Sequence, residues 1–370
     1  MSTPHRSPVH TAADLIAWFD HHARDLPWRK PKHRKQDAYP ALVAELMLQQ
    51  TQASRVAERF EPFLERFPTA AHLAAADEAD VLAMWSGLGY YRRAKLLHAA
   101  AKAAVEHHQG ALPKSADSLR TLPGIGRYTA GAIASMVHNH HAPAVDGNVQ
   151  RVFLRLEGID LPLRSKQAES SAWAWAEHLV HQTDHPGKLN EALIELGATV
   201  CTPANPRCNA CPIAHACIAH AQDRTADIPR PKPRKPKQTV HAIVALVTDQ
   251  HHRVLVERRP PQGMWASMHQ APTAERQDRP WKRAELSAAL DLTPVGRKIS
   301  TITHETTHRT FHFQIYPAQP SPNSPHRLET PHRFWITPDQ LNHIAISSIQ
   351  RRILNLAFSK LPLVQPPTPT

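Results

Sequence analysis

The sequence has no cysteine outside one short segment, and it has no apolar run long enough to cross a bilayer. It also opens without the apolar stretch of a secretory signal. A long chain with so little cysteine is typical of a reducing compartment. We therefore expect a cytoplasmic protein with no membrane partner.

Acidic residues are in deficit, with 32 Asp and Glu against 44 Lys and Arg, which gives a formal charge of +12. Such an excess favours a polyanionic partner, either an anionic membrane or nucleic acid. The lack of a long apolar run makes nucleic acid the preferred prediction. With 370 residues, of which 41% are hydrophobic, the chain is long enough for two or three domains.

The four cysteines are spaced as Cys201-x6-Cys208-x2-Cys211-x5-Cys217. Soft sulfur ligands in this number suit an iron-sulfur cluster or zinc, and one thiolate for each iron of a [4Fe-4S] cluster is the simplest use of the set. Two disulfides are the remaining alternative. We predict a [4Fe-4S] cluster with all four cysteines as ligands.

The chain changes character near its middle. From Thr11 to about Ala221, apolar residues recur at helical spacing, which predicts an all-helical half. Prolines alternate with basic residues from Pro229 to Lys237, and this pattern indicates an extended linker. Beyond it, the β-branched runs 240–247 and 253–257 predict a hairpin within an α+β domain.

These changes predict the domain boundaries. The helical domain spans residues 1–222, a Pro/Lys/Arg-rich linker spans 223–238, and the α+β domain spans 239–361. Residues 362–370 are predicted to be a disordered tail.

The segment from Leu119 to Ala132 predicts a helix, a tight turn and a second helix. Gly124 and Gly126 allow the sharp turn, and the amides that open the second helix, at Arg127, point where a phosphate would be favoured. Such a helix-hairpin-helix grips the DNA backbone without reading its sequence. An ordinary turn between two helices is the alternative.

Two carboxylates stand out. Asp146 precedes a predicted helix, so it is expected to cap that helix, a role that is compatible with a place in an active site. Glu45 has apolar residues three and four positions before it and three after it, which predicts partial burial and a raised carboxyl pKa. A carboxyl group of this kind can donate a proton. A buried structural Glu paired with an Arg remains the alternative.

Several motifs together resemble the adenine DNA glycosylase family (MutY type) of the endonuclease III, or helix-hairpin-helix, superfamily. They are the run from Glu45 to Gln52, the run from Trp85 to Ala94, the hairpin, Asp146-Gly147-Asn148 and the cysteine spacing. The segments Leu26 to Arg29 and Asn190 to Gly197 fit as well.

The resemblance implies base excision repair of double-stranded DNA, with removal of adenine mispaired with 8-oxoguanine or guanine. It implies a six-helix barrel at about 35–140 and a cluster domain made of the N-terminus and 141–222. The α+β half resembles the family's Nudix-like reader of 8-oxoguanine and lacks the Nudix hydrolase signature. A monomer associated with a bacterial nucleoid is expected.

The resemblance also implies roles for individual residues. Glu45 would protonate adenine at N7, and Asp146 would stabilise or trap the sugar cation, while Tyr128 and Asn148 position these groups. Gln50 and Tyr90 would be the wedge that helps to extrude the adenine, and Arg29 and Glu191 would contact that base. Thr307 and His308 would hydrogen-bond to the 8-oxoguanine, Gln49 would contact the substrate, and Gly124, Gly126 and Arg127 would contact the DNA backbone.

The residue at position 128 distinguishes bifunctional from monofunctional members of the superfamily. Bifunctional members carry a Schiff-base lysine directly after Gly-x-Gly-Arg, where this chain has Tyr128. A phenol cannot form an imine, so we expect a monofunctional enzyme. A mismatch thymine (T opposite G) glycosylase and a catalytically inactive DNA-binding relative are the alternatives. The reader loop, Thr306-Thr307-His308, lacks the aromatic residue usual in the family, which puts its discrimination between 8-oxoguanine and guanine in doubt.

Overall fold

A computed structural model describes residues 8–30, 38–231, 236–321 and 329–360. The predicted tail and residues 232–235 of the predicted linker lie outside these ranges. The chain divides into two compact units, one made of Met1–Ala75 with Leu96–Arg234 and the other of Ala76–Lys95 with Lys235–Thr370. No helix in the described ranges has both the length and the hydropathy that a bilayer span requires.

The first half of the chain is helical, as predicted. Its helices, in chain order, are α1 Pro8–His22, α2 Tyr39–Leu48, α3 Ala53–Arg66, α4 Ala70–Ala75, α5 Glu78–Met84, α6 Arg92–His108, α7 Ala116–Leu119, α8 Arg127–His138, α9 Gly147–Leu156, α10 Lys166–Val180, α11 Pro186–Thr199 and α12 Ile218–Ala221.

Helix α9 shows how the first unit forms its core. Val149, Val152, Phe153 and Leu156 recur at helical spacing and are all buried. They pack in one cluster with residues of α1, α10 and α11. Each Å² of apolar surface that is buried stabilises the packing of these helices by about 25 cal/mol. Asp146, which precedes α9, is therefore held in a fixed position.

The second unit contains two small sheets. Besides α5 and the start of α6, its described elements are β1 Gln238–Leu246, β2 Val254–Arg258, β3 His269–Gln270, β4 Thr273–Arg276, α13 Leu286–Leu290, β5 Leu292–Pro294, β6 Ser300–Glu305, β7 Arg309–Pro320, β8 Arg333–Ile336 and α14 Ser348–Lys360. One sheet has the order β4-β1-β7-β5 with β6 also paired to β7, and the other has the order β3-β2-β8. The expected α+β class is confirmed.

The prediction that β1 and β2 form a hairpin is wrong, although the chain does turn back between them. A bridge joins Thr248 to Val254, but β1 then pairs with β4 and, in parallel, with β7, whereas β2 enters the other sheet. The last five residues of β1 are all buried, because a strand in the middle of a sheet packs on both faces. A tight hairpin appears instead between β6 and β7, which pair from Ser300↔Ile315 to Glu305↔Thr310.

Candidate active site

The predicted helix-hairpin-helix is formed by α7, the turn 120–126 and α8. Gly124 has a φ of 77°, a conformation that favours glycine, and a Cβ there would lie 2.6 Å from the Cβ of Leu96. Gly126 is the N-cap of α8, and both glycines are exposed. The turn therefore leaves accessible backbone amides at the start of a twelve-residue helix.

An open cavity of about 1340 Å³ lies in the first unit beside this hairpin. It is lined by every residue of the first unit that the sequence assigned to the mispair, the backbone or the chemistry. These residues are Arg29, Glu45, Gln49, Gln50, Gly124, Gly126, Arg127, Tyr128, Asp146, Asn148 and Glu191.

Glu45 enters the cavity from α2. Its helix is buried along most of its surface, including Leu42, Val43 and Leu46, so the Glu45 carboxyl group is withdrawn from bulk water. Burial raises the pKa of Glu45 to about 7, and the negative charges of Asp146 and Glu191 add to this rise. A hydrogen bond from Tyr128 acts in the opposite direction. At neutral pH the group is thus divided between its proton-donating and proton-accepting forms.

Asp146 is the N-cap of α9, as predicted. Its Oδ1 accepts hydrogen bonds from the backbone amides of Asn148 and Val149, both at 2.8 Å, and its Oδ2 accepts one from Asn148 Nδ2 at 2.8 Å. Burial raises the pKa of Asp146, whereas these three bonds and Arg151 lower it. One carboxylate therefore both starts the helix and faces the cavity.

Asn148 is fixed in turn by its neighbours. Arg151 Nη2 donates to Asn148 Oδ1 at 2.9 Å and to the carbonyl oxygen of Gly197 at 2.7 Å, and Arg151 Nε donates to the carbonyl oxygen of Cys201 at 2.7 Å. Gly197 of α11 lies directly against this side chain, since a Cβ at Gly197 would lie 2.5 Å from the Cβ of Asn148. The two helices meet here without an intervening side chain.

Arg29 belongs to a network of charges that the sequence analysis missed in part. It donates to Glu191 Oε1 at 3.1 Å and to Glu195 Oε2 at 3.0 Å, and its guanidinium lies over the ring of Phe19. Glu195 is fully buried and also accepts two bonds from the Arg24 side chain, at 2.6 and 2.9 Å. These cations hold the pKa of Glu195 below its usual range despite burial.

A local signal for Glu195 was present in the sequence. Glu191 and Glu195 are four residues apart on α11, so the two like charges share one helix face. Such a pair is unfavourable unless a cation lies near both carboxylates, and this requirement predicts a cationic partner. The identity of the partners depends on contacts about 160 residues away along the chain.

Two other cavity residues have distinct placements. Gln50 is exposed and has a φ of 56°, so its backbone is in a conformation rare for a residue with a side chain. The guanidinium of Arg127 lies 3.8 Å from the centre of the Trp173 ring. Arg127 thus joins the start of α8 to α10 by a cation–π contact.

The predicted mispair residues of the second unit lie at the tip of the β6–β7 hairpin and in the loop before α6. Thr306 closes the tip through its backbone and hydroxyl contacts with Arg309, which leaves Thr307 and His308 exposed. The phenol of Tyr90 hydrogen-bonds to the hydroxyl of Thr307. Tyr90 is 47% exposed, whereas Tyr91 is buried and donates to the carbonyl of Ile346.

The four cysteines are free thiols, and all four line one small cavity of about 30 Å³. Arg155, which is buried, donates to Cys201 Sγ at 3.4 Å and to the carbonyl of Thr202 at 2.7 Å. Among the side chains of the described ranges, no three His, Cys, Asp or Glu residues are grouped tightly enough for a single metal ion.

Each half of the chain matches a known protein family. Residues 43–178 match the HhH-GPD superfamily of base excision DNA repair proteins, and residues 243–356 match the NUDIX domain. A thermostable thymine-DNA glycosylase has the fold of the first half, with a TM-score of 0.51 and 23% identity over 58% of this chain and 97% of that chain.

The sequence relatives are more specific. The adenine DNA glycosylase of Rattus norvegicus is 31% identical, covering 95% of this chain and 80% of the relative. That of Mycolicibacterium smegmatis is 44% identical, covering 56% of this chain and 68% of the relative. The adenine DNA glycosylase of Buchnera aphidicola subsp. Schizaphis graminum is 30% identical, covering 81% of this chain and 84% of the relative. The chain therefore belongs to the adenine DNA glycosylase family.

Proposed function

We propose that this protein hydrolyses the N-glycosidic bond of adenine mispaired with 8-oxoguanine or guanine in double-stranded DNA, with no lyase step. The observation that carries the proposal is the shared cavity of Glu45 and Asp146, in which Glu45 has a pKa of about 7. Two carboxylates in different environments can divide the work of acid and cation stabiliser.

The first step concerns the leaving group. Adenine leaves poorly as an anion, so protonated Glu45 donates its proton to N7 of the extruded base. The bond from the sugar C1′ to the base then breaks, and its electron pair goes to adenine. A cationic sugar remains in the cavity.

Asp146 acts on that cation. Its carboxylate stabilises the oxocarbenium-like sugar or bonds to C1′, and water deprotonated by ionised Glu45 completes the hydrolysis. Asn148 and the start of α9 hold Asp146 through three hydrogen bonds, so its position is set before the substrate arrives. Tyr128 stands where an imine-forming amine would be needed, which is why the proposal contains no lyase step.

The proposed contacts to the mispair and the backbone follow the placements described above. Glu191, held by Arg29, would accept hydrogen bonds from the adenine amino group. Gln50, Tyr90, Thr307 and His308 would contact the opened duplex and the opposite base, while Gly124 and Gly126 would present amides to a phosphate. A substrate of double-stranded DNA favours a location at the nucleoid of a bacterial cytoplasm.

We also propose that Cys201, Cys208, Cys211 and Cys217 hold a [4Fe-4S] cluster. Four free thiols around one cavity, with an arginine N–H directed at one sulfur, fit the ligand set and the hydrogen bonding of such a cluster. When bound, the cluster cross-links the loop and so stabilises its fold. Iron and acid-labile sulfide analysis of the purified protein tests this proposal, because zinc without sulfide would contradict it.

The activity is tested by single-turnover assays on duplexes with A opposite 8-oxoguanine, A opposite G or T opposite G. Glu45→Gln should slow adenine release about 10² to 10⁴-fold. Glu177→Gln, an exposed change of the same kind on α10, is the matched control. Release of thymine, or binding without release of any base, would contradict the proposal. Borohydride should trap no enzyme–DNA imine.

A further inference from the structure

The loop from Ser86 to Tyr91 has an unusual backbone. Gly87 and Gly89 have φ values of 94° and 72°, and Tyr90, which is not a glycine, has a φ of 45°. Despite this conformation, Tyr90 is not buried, and 47% of the residue is exposed. An exposed aromatic ring in a disfavoured backbone conformation points to a role that requires the conformation.

Arg93, on the first turn of α6, holds this loop from inside. Its Nη2 donates to the carbonyl oxygens of Leu88 at 3.2 Å and Gly89 at 3.0 Å. Its guanidinium carbon lies 5.6 Å from the centre of the Tyr90 ring and 5.4 Å from that of Trp85. The indole N–H of Trp85 also donates to the carbonyl of Gly89, at 3.1 Å.

Arg93 is only 6% exposed, so its charge has lost most of its contact with water. This burial lowers the pKa of Arg93 to about 10, which still leaves the side chain charged at neutral pH. A methionine-like apolar side chain would fill the same space without that desolvation. The contacts of this buried charge include two carbonyl oxygens of the loop and the faces of the Trp85 and Tyr90 rings.

The other end of the Tyr90 ring is also held, since its phenol hydrogen-bonds to Thr307. Tyr90 thus has one fixed face and one fixed end, while the rest of the ring is accessible. A ring that is fixed in this way can enter a base stack without first becoming ordered, which lowers the entropic cost of insertion.

We propose that Arg93 is a positioning residue that presents Tyr90 for insertion into the DNA base stack when adenine is extruded. The inference rests on the proposed function, because it assigns Arg93 to the extrusion step and not to bond cleavage. A role in extrusion makes Arg93 important only for substrates whose adenine must leave a stacked duplex.

The test compares two substrates in single-turnover assays: adenine opposite 8-oxoguanine in a duplex, and adenine as a one-nucleotide bulge, which needs little unstacking. Arg93→Met should slow excision from the mispair about tenfold or more and change excision from the bulge by less than about threefold. Tyr90→Leu should behave in the same way. The double variant should be no slower than the slower single variant, because both changes remove the same presentation.

Arg92→Met is the matched control, since Arg92 precedes Arg93 on the same helix but is exposed. For Arg92→Met, the ratio of the excision rate on the mispair to that on the bulge should equal the ratio for the unaltered protein. Arg93→Lys, which keeps the charge and loses the forked geometry, should give an intermediate ratio and guards against a folding defect of Arg93→Met.

Equal slowing on both substrates, or multiplicative effects of Arg93→Met and Tyr90→Leu, would overturn the inference and leave Arg93 as a packing residue. Failure of the unaltered protein to release adenine from either substrate would instead contradict the proposed function. The two failures are therefore distinguishable in one experiment.

Discussion

The phenol of Tyr128 hydrogen-bonds to the carboxyl group of Glu45, and each group changes the pKa of the other. The bond lowers the pKa of Glu45, but burial has the larger effect and leaves that pKa at about 7. Burial, followed by the charge of Glu45, raises the pKa of Tyr128. Tyr128 therefore remains protonated at neutral pH and serves as the donor.

A shift of the pH profile should follow from this bond. Because Glu45 must be protonated to donate, single-turnover adenine release should fall as pH rises through about 7. Tyr128→Phe removes an interaction that lowers the Glu45 pKa, so the fall should move to higher pH. The rate measured from pH 5 to 9 in both proteins gives the answer, with Tyr316→Phe as a control. An unmoved profile would disprove the coupling.

Glu45 should also reduce the stability of the fold. Its carboxyl pKa is higher in the folded protein than the ordinary value of 4.5, so stability is lost as pH rises from about 4.5 to about 7. Glu45→Gln removes this loss and should stabilise the protein by up to about 3 kcal/mol at pH 8, since each pKa unit is worth about 1.4 kcal/mol. Chemical unfolding at pH 8 and pH 5 tests this, because the gain should shrink at pH 5.

Substitutions of Asp146 should separate its two roles. Asp146→Asn retains a side-chain oxygen that can cap α9 but loses the charge, so adenine release should fall about a thousandfold or more with little loss of stability. Asp146→Ala should lose both, with a further cost of about 1 kcal/mol in unfolding free energy. Activity and thermal unfolding are measured on the same preparations. Equal stability of the two variants would mean that the cap is unimportant.

Glu195 should matter far more to stability than an exposed acid with a similar partner. Glu195→Gln removes the buried charge that Arg24 and Arg29 share, while Arg29 keeps Glu191 and Arg24 keeps contact with water, so the cost should be about 1.5 to 3 kcal/mol. Asp160→Asn, which breaks the exposed pair with Arg230, should cost at most about 1 kcal/mol. Urea unfolding of both variants decides the matter. Similar costs would contradict the structural role of Glu195.

The pH dependence of the Glu195 contribution has the opposite sign to that of Glu45. Its folded-state pKa is depressed, so its stabilising effect is present above the unfolded pKa of about 4.5 and is lost as pH falls below it. The difference in unfolding free energy between the unaltered protein and Glu195→Gln should therefore become smaller as the pH falls below about 4.5.

The sequence predicted the parts of the active site that depend on local pattern. Apolar neighbours at helical spacing predicted the burial of Glu45, and an acid before a helix predicted the cap at Asp146. Both properties are set within one or two turns of helix.

Properties that depend on distant partners could not be predicted in the same way. The pairing of Glu195 with Arg24 joins residues 171 positions apart, and no local pattern specifies which cation fills that place. The pairing of β1 was wrong for a related reason: a buried run fits a hairpin and a central parallel strand equally well. The domain boundaries and the roles of individual residues remain predictions.

The contact of Gly197 with Asn148 has a consequence for judging natural variation. Replacement of this glycine by alanine would be scored as conservative by size and polarity, because every residue that lines the cavity would keep its chemical identity. The added methyl group would nevertheless displace the amide that aligns Asp146. A variant at Gly197 should therefore be classed with active-site variants, although its side chain never faces the substrate.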